Sequence, residues 1–249
     1  MADVIDGAEP WSAEGGPVGV LVLHGFTGNP SSVRGLAEAF AGAGYSVEMP
    51  RLPGHGTSIE DLMDKTWADW SAEAEAALGR LAQRTQTQFV AGLSMGGSIT
   101  CWLGINHPEL AGLICINPAV APSEDMSAVV EQLVEAGEAV MPGIGSDIAM
   151  PGVTESAYVD TPLAPLLSLF AASGEIGPHL GEVEQPLLLF TSPEDHVVPS
   201  TDSDFLAAAV SGPVERVTCE RSYHVATQDY DKELINERSL EFVARISGD

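Results

Sequence analysis

Three side chains far apart in the chain have the types and surroundings to act together: a serine, a carboxylate and a histidine. Ser94 is the centre of Gly92-Leu93-Ser94-Met95-Gly96, with the apolar run Phe89-Val90-Ala91 before it and a helix-like stretch from Gly96 to Asn106 after it. In a strand–turn–helix of this kind the serine tops a turn too tight for side chains at the flanking positions, so glycine stands at both. The turn pushes the hydroxyl into the open and aims the new helix's N-terminus at it. His224 follows a strand-like run, Val214 to Cys219, in the loop Ser222-Tyr223-His224. Between them the run Pro186 to Thr191 reads as a strand and leads into Ser192-Pro193-Glu194-Asp195-His196. Asp195 is the expected partner of His224, fixing its tautomer and stabilising it when protonated. Glu194 is the competing carboxylate; adjacent side chains in a turn diverge, so only one reaches the histidine. Together these groups would let a serine attack a carbonyl carbon while histidine takes its proton.

Such an attack creates an oxyanion that needs backbone donors. Val20-Leu21-Val22-Leu23 reads as a buried strand running into His24-Gly25-Phe26-Thr27-Gly28, a glycine-containing loop able to offer one N–H. The N–H of Met95, just after the serine, would be the second. His24 is expected to hold this loop by hydrogen bonds, because His224 is the better base. His55, His107, His179 and His196 have no partner pattern and read as surface or loop-packing residues.

The elements that must position these groups alternate. A helix is expected over Ser31 to Ala43, a strand at Ser46 to Met49, and an irregular loop from Pro50 to Thr57 that carries Pro53, Gly54 and Gly56. A long helix should cover Trp67 to Arg84, with Trp67, Trp70, Ala74, Ala77, Leu78 and Leu81 on one stripe. Both tryptophans read as packing aromatics. The strand at 88–92, the helix after the serine and the strand Leu113 to Asn117 continue the pattern. Strands alternating with helices predict an α/β fold with a doubly wound, mostly parallel sheet, the loops that carry the chemistry sharing one edge. The alternation stops between Ala119 and Pro178. Helical pieces near 125–138 and 163–173, with a Gly/Pro-rich connection and no good strand, predict a small helical cap. The expected division is a core of 1–118 and 179–249 with a cap at 119–178. Apolar cap residues, among them Val129, Val130, Ile144, Leu166, Leu169 and Phe170, either face a pocket or dock the cap.

With these turns in the chain order Ser, Asp, His, the chain resembles a small α/β-hydrolase, and more narrowly the bacterial monoacylglycerol lipases and carboxylesterases. The resemblance runs nearly end to end. Besides the catalytic turns it includes Gly54-His55-Gly56-Thr57, Ile144-Gly145-Ser146-Asp147, Asp195-His196-Val197-Val198-Pro199 and Glu237 to Phe242. It implies Ser94, Asp195 and His224 as a triad, Phe26 and Met95 as oxyanion donors, and Ile144 and Glu155 as contacts to glycerol. It further implies hydrolysis of monoacylglycerols through an acyl-enzyme, with general carboxylesterase, acyltransferase and perhydrolase activities as the alternatives on the same triad. The match is weakest over Ser123 to Gly143, where acyl-chain preference would be set. Without the resemblance Glu155 would read as an exposed acid in an acid-rich cap.

Composition fits that reading and excludes others. A chain of 249 residues, 45% hydrophobic, suits one α/β domain with an insertion. No metal-ligand cluster and no phosphate-binding loop is present, so no cofactor is expected. Ten basic residues against 36 acidic ones give a net charge of −26, which argues against nucleic acid or an anionic membrane as a standing partner and leaves a small neutral ester as the expected one. No run has the length of a membrane span, and Met1 to Asp6 has no signal-peptide character. Cys101, Cys115 and Cys219 are scattered and read as small buried hydrophobes; a cytoplasmic location is expected.

Overall fold

The computed structural model describes residues 3–121 and 123–248. Met1 and Ala2 of the leading segment, Pro122 and Asp249 lie outside the described residues. The backbone alternates strand and helix as the apolar runs require: β1 (Trp11–Ala13), β2 (Val18–Leu23), α1 (Arg34–Gly42), β3 (Ser46–Met49), a single-turn α2 (Ile59–Leu62), α3 (Trp67–Ala82), β4 (Thr87–Leu93), α4 (Met95–Asn106) and β5 (Gly112–Ile116). After β5 come α5 (Glu124–Glu135), β6 (Val140–Pro142), β7 (Asp160–Pro162) and α6 (Leu163–Ile176). The sheet then resumes with β8 (Leu187–Thr191), α7 (Ser200–Ala209), β9 (Val214–Thr218) and α8 (Lys232–Ser247).

Seven strands form one sheet in the order β1-β3-β2-β4-β5-β8-β9. All neighbours pair in parallel except β1, which lies antiparallel on β3. The doubly wound, mostly parallel sheet expected from the alternation is the one observed, as the resemblance to α/β-hydrolases also implies. The strands β2, β5 and β8 are buried along their whole length, which is why they read as unbroken apolar runs. Two apolar layers flank the sheet. One gathers Trp70, Ala74, Ala77 and Leu81 of α3 with Ile99 and Leu103 of α4; the other joins Leu36 and Phe40 of α1 to Ile235, Phe242 and Val243 of α8.

The cap departs from the expected all-helical insertion. β6 and β7 form a two-stranded antiparallel ribbon, Val140 facing Pro162, Met141 facing Thr161 and Pro142 facing Asp160. Three residues are too few to display a period, and each strand contains a proline, so nothing local announces them. The cap's apolar residues divide between both expected uses. Val130 is buried, Leu166, Leu169 and Phe170 line a cavity over the sheet edge, and Val129 stands exposed. Hydrogen bonds seat the cap on the core. Tyr158 donates its hydroxyl to Gly54 O (2.7 Å) and accepts from Thr57 N–H (3.0 Å), while Trp67 N–H at the start of α3 donates to Ser168 Oγ (2.9 Å). Among the described residues no helix is long and apolar enough to cross a membrane.

Trp70 links this packing to the site. It is fully buried, donates Nε1–H to Pro53 O (3.0 Å), and meets the rings of Phe26 and His55 edge-on at 5.6 Å. Trp70→Ala should therefore cost about 3–5 kcal/mol of stability through the cavity it leaves. Trp70→Phe, which keeps most of the volume and loses the hydrogen bond, should cost less. Urea unfolding followed by circular dichroism measures both; a loss below 1 kcal/mol for the alanine variant would mean that the loop does not rest on this ring.

Candidate active site

β4 runs through the middle of the sheet and stops at Leu93, and α4 starts at Met95, so the chain reverses over one residue. That residue is Ser94, at φ 56° and ψ −117°. A non-glycine residue there carries about 1–3 kcal/mol of strain and persists only where its surroundings over-determine it. They do. Ser94 N–H donates to Ile116 O (2.9 Å), and Ser94 O accepts from Gly97 (2.8 Å), Ser98 (3.2 Å) and Ala119 (3.3 Å). A Cβ at residue 92 would sit 2.1 Å from Gly96 O, and one at residue 96 would sit 2.4 Å from Leu23 O. Both flanking glycines are thus demanded by contact, and the serine hydroxyl is left at the floor of a cavity, above the N-terminus of α4.

The loop after β2 lies beside it. His24 Nε2 accepts from Leu52 N–H (3.1 Å), so the proton is on Nδ1, which donates to Gly25 O (2.9 Å). Burial lowers His24 to about 4, only partly countered by the bond to Gly25, with Arg51 nearby lowering it further. His55 packs edge-on against His24 and Phe26 and is held well below the ordinary histidine range by burial first and by His24 second. These two neutral rings brace the loop, and neither lines the cavity. The N–H groups of Phe26 and Met95 donate to no backbone carbonyl among the described residues, the condition under which they can serve an oxyanion.

On the far side His224 Nδ1 meets Asp195 Oδ2 at 2.7 Å, with 9% and 2% of the two side chains exposed. Asp195 Oδ1 accepts the N–H groups of Val197 and Val198, both at 2.8 Å, while Glu194 points to solvent. Burial pulls the His224 pKa down, but the bond and charge of Asp195, with Glu155 and Asp147 behind it, carry it above the ordinary 6.5. Ser94 and His224 line one cavity of about 210 Å³, together with Phe26, Ile144, Glu155 and the apolar cap residues Met126, Met141, Leu166, Leu169 and Phe170. Met95 is fully buried, its side chain in the apolar layer with Trp70 and Ile99 and outside the cavity lining.

Glu155 and Ile144 stand apart in environment. Ile144 is a 61% exposed rim residue. Glu155 is partly buried: Oε1 accepts from Ser32 Oγ (2.6 Å), and its N–H donates to Ser146 Oγ (2.8 Å). A Cβ at residue 28 would lie 2.8 Å from that same Oε1, so Gly28 leaves the room the carboxylate occupies. Burial raises the Glu155 pKa above 4.5, against the opposing pull of Ser32 and His224. An acid of this kind, facing an apolar cavity, can bind hydroxyl groups.

Sequence reasoning passed over three residues that hold this arrangement. Asn117, after β5 at φ 43°, donates to His224 O (2.8 Å) and accepts from Ser192 N–H (2.8 Å). Asp147 from the cap accepts the N–H groups of His224 (3.0 Å) and His196 (3.1 Å). Asp229, fully buried, accepts from Ala149 (2.6 Å), Met150 (2.9 Å) and Tyr223 (2.9 Å). Only Asn117 carried a signal, a polar residue ending a buried strand at the edge where the other turns lie. Among the described residues no group of three or more His, Cys, Asp or Glu side chains is placed to hold a metal.

Comparison with known proteins places the chain. The Hydrolase_4 family profile, described as serine aminopeptidase S33, matches residues 18–161. A thermostable monoacylglycerol lipase of Bacillus sp. (strain H-257) is 48% identical over 98% of each chain. A carboxylesterase of Bacillus subtilis (strain 168) is 24% identical over 96% of this chain and 97% of its own. A solved structure from work on the metagenome-derived lipolytic enzymes LipS and LipT superposes with a TM-score of 0.94 at 43% identity, covering 98% of this chain and 100% of that one.

The histidine environments predict opposite titrations. In nitrogen-15 spectra His224 should take up its second proton above pH 6.5, whereas His24 should remain neutral down to about pH 4. A His224 midpoint below 6.5 would mean that burial outweighs the three carboxylates.

Proposed function

The chain belongs to the Hydrolase_4 family of serine hydrolases and is a carboxylic ester hydrolase, and from that premise we propose that it cleaves monoacylglycerols to glycerol and fatty acid through an acyl-enzyme on Ser94. The observation that carries the reading is Glu155: an acid held by Ser32, in the same apolar cavity as Ser94 and His224. A glycerol monoester brings two free hydroxyls on its alcohol side, and a site selective for it needs one polar partner in an otherwise apolar wall. The full-length likeness to a protein named as a monoacylglycerol lipase supports it.

In this proposal His224 takes the Ser94 proton as the hydroxyl attacks the ester carbonyl, and Asp195 holds the imidazole by Nδ1. The N–H groups of Phe26 and Met95 receive the oxyanion, each worth about 3–4 kcal/mol in comparable sites. Glycerol leaves with the proton from His224; water then attacks the acyl-enzyme by the same route in reverse. Glu155 and the wall at Ile144 seat the glycerol. Residues 119–178 act as the lid, and the chemistry needs no cofactor. The enzyme works on a small neutral ester in the cytoplasm, without nucleic acid or an anionic membrane as a standing partner; the net charge of −26 and the three buried free thiols support this setting. A general carboxylesterase is the second reading, supported by the apolar majority of the cavity lining.

Ser94→Ala and His224→Ala should each abolish nearly all turnover while the fold survives, because the groups act as a unit. Asp195→Asn should lower kcat on the order of 10⁴-fold, and Glu194→Gln should leave it unchanged. Steady-state kinetics with thermal melts checks all four; a greater loss from Glu194→Gln would reverse the assignment of the acid.

Glu155→Ala separates the two substrate readings. It should weaken KM for a monoacylglycerol by about 1–3 kcal/mol, a charged hydrogen bond's worth, and leave the p-nitrophenyl ester of the same acid nearly unchanged. Both are measured on the alkaline plateau, where His224 is neutral with or without the Glu155 charge beside it. Equal effects on both esters would make the enzyme a general carboxylesterase.

A further inference from the structure

His224 is gripped at three points. Asp195 holds its Nδ1, Asn117 donates to its carbonyl, and Asp147 accepts its N–H. The third grip comes from the cap, 77 residues away. The Asp147 side chain is 8% exposed and reaches between the two loops that carry the acid and the histidine. Its Oδ2 takes both the His224 and His196 N–H groups, its Oδ1 faces His196 Nδ1 at 2.8 Å, and its own carbonyl accepts Val225 N–H at 3.1 Å. The lacing is reciprocal: from the core side, Asp229 takes the N–H groups of Ala149 and Met150. The segment from Asp147 to Met150 cannot lift from the sheet edge without releasing His224.

We propose that Asp147 is a positioning residue of the reaction, a cap-borne carboxylate that sets the place of the His224 ring by holding its backbone and that stabilises the imidazolium formed when the ring accepts the serine proton. This rests on the reading of His224 as the base. The segment at Asp147 is then a stationary part of the catalytic machinery, and any opening of the lid must occur elsewhere in the cap. Charge and position are separable here. The groups facing His224 are Asp195 from the loop after β8, Glu155 and Asp147 from the cap, and Ser94 from the elbow; His196 shares Asp147 from the solvent side. Removing the Asp147 charge leaves Asp195 and Glu155 in place, so the His224 titration should move down without being abolished.

Asp147→Asn retains an oxygen for the His224 N–H and discards the charge. It should shift the acid limb of kcat/KM for a p-nitrophenyl ester to lower pH and lower plateau kcat a few-fold, the cost of the lost charge on an imidazolium whose ring keeps its place. Asp147→Ala frees the N–H, and a displaced base should lower plateau kcat on the order of 10²-fold, equally for p-nitrophenyl ester and monoacylglycerol, with KM for either little changed. A residue that merely stabilises the cap would lower the melting temperature and move neither kcat nor the acid limb; that result in folded protein overturns the proposal. If Asp147→Ala fails to fold, the limb of Asp147→Asn decides alone: a shift supports the proposal and an unmoved limb rejects it. His224→Ala run in parallel keeps the premise separate, because an acid limb that persists in that variant refutes the base assignment and leaves the Asp147 variants to be read on kcat.

Discussion

The left-handed backbone at Ser94 stores about 1–3 kcal/mol of strain, and the rest of the site is arranged around keeping it there. The strain is tolerated because β4 is bound on both sides, by six residues of register to β2 and five to β5, so neither end of the turn can relax along the sheet. The one carbonyl that takes the Ser94 N–H belongs to Ile116 at the end of β5, and those crowding its flanking glycines belong to the end of β2 and the start of α4. One conformation thereby aims the hydroxyl upward, leaves the first N–H of α4 without a carbonyl partner, and brings the loop after β2 close enough to supply another. Donors organised during folding do not reorganise during reaction, which is where such sites gain most over water.

The histidines show how environment, and not residue type, decides what an imidazole does. His24 and His55 are buried with no carboxylate in contact; desolvation leads, nearby positive groups add to it, and both stay neutral. His224 is just as enclosed, yet Asp195 bonds it directly and Glu155 and Asp147 add their fields, which reverses the sign. Burial strengthens each of these attractions by excluding the water that would screen them. A protein with 36 acidic residues has spent three of them within reach of one ring. Two of those three, Glu155 and Asp147, stand on the segment between β5 and β8, so the proton affinity of that ring answers to it.

What the sequence made legible follows from the range over which each signal acts. β2, β5 and β8, and β4 from Phe89 on, are read directly because a parallel strand buried on both faces runs apolar along its length. The elbow is read because its two glycines lie within two residues of the serine. Sequence names Asp195 as the expected partner with Glu194 as its competitor, since a turn lets only one of two neighbours point inward; the fold turns Asp195 to His224 and Glu194 to water. The ribbon of β6 and β7 was invisible, being three residues on each side and held by tertiary contact. Asp147 and Asn117 act on His224 from 77 and 107 residues away; the end of a buried strand marks Asn117 as a polar residue at the right edge, but no local pattern shows that either side chain will be needed by His224. Glu155 belongs to the same class: its meaning comes from Ser32 and from the space left by Gly28, both more than a hundred positions earlier.

The acidic balance of the chain acquires a chemical sense beside the reaction proposed. At physiological ionic strength a charge is screened beyond about 8 Å, so most of the net −26 is felt at the surface and little of it in the cavity. Within the cavity the nearby carboxylates are Glu155 and Asp147, with Asp195 just behind His224. A neutral ester approaching Ser94 meets no repulsion from them. Hydrolysis converts it into a fatty acid, which ionises to a carboxylate among fixed negative charges once His224 is neutral again. On the mechanism proposed, Asp195 and Asp147, which would stabilise imidazolium in the transition state, therefore also oppose retention of the product anion. In that proposal substrate and product differ in charge at the atom the Phe26 and Met95 N–H groups would hold, and the field of the neighbouring carboxylates is of the sign that expels the product.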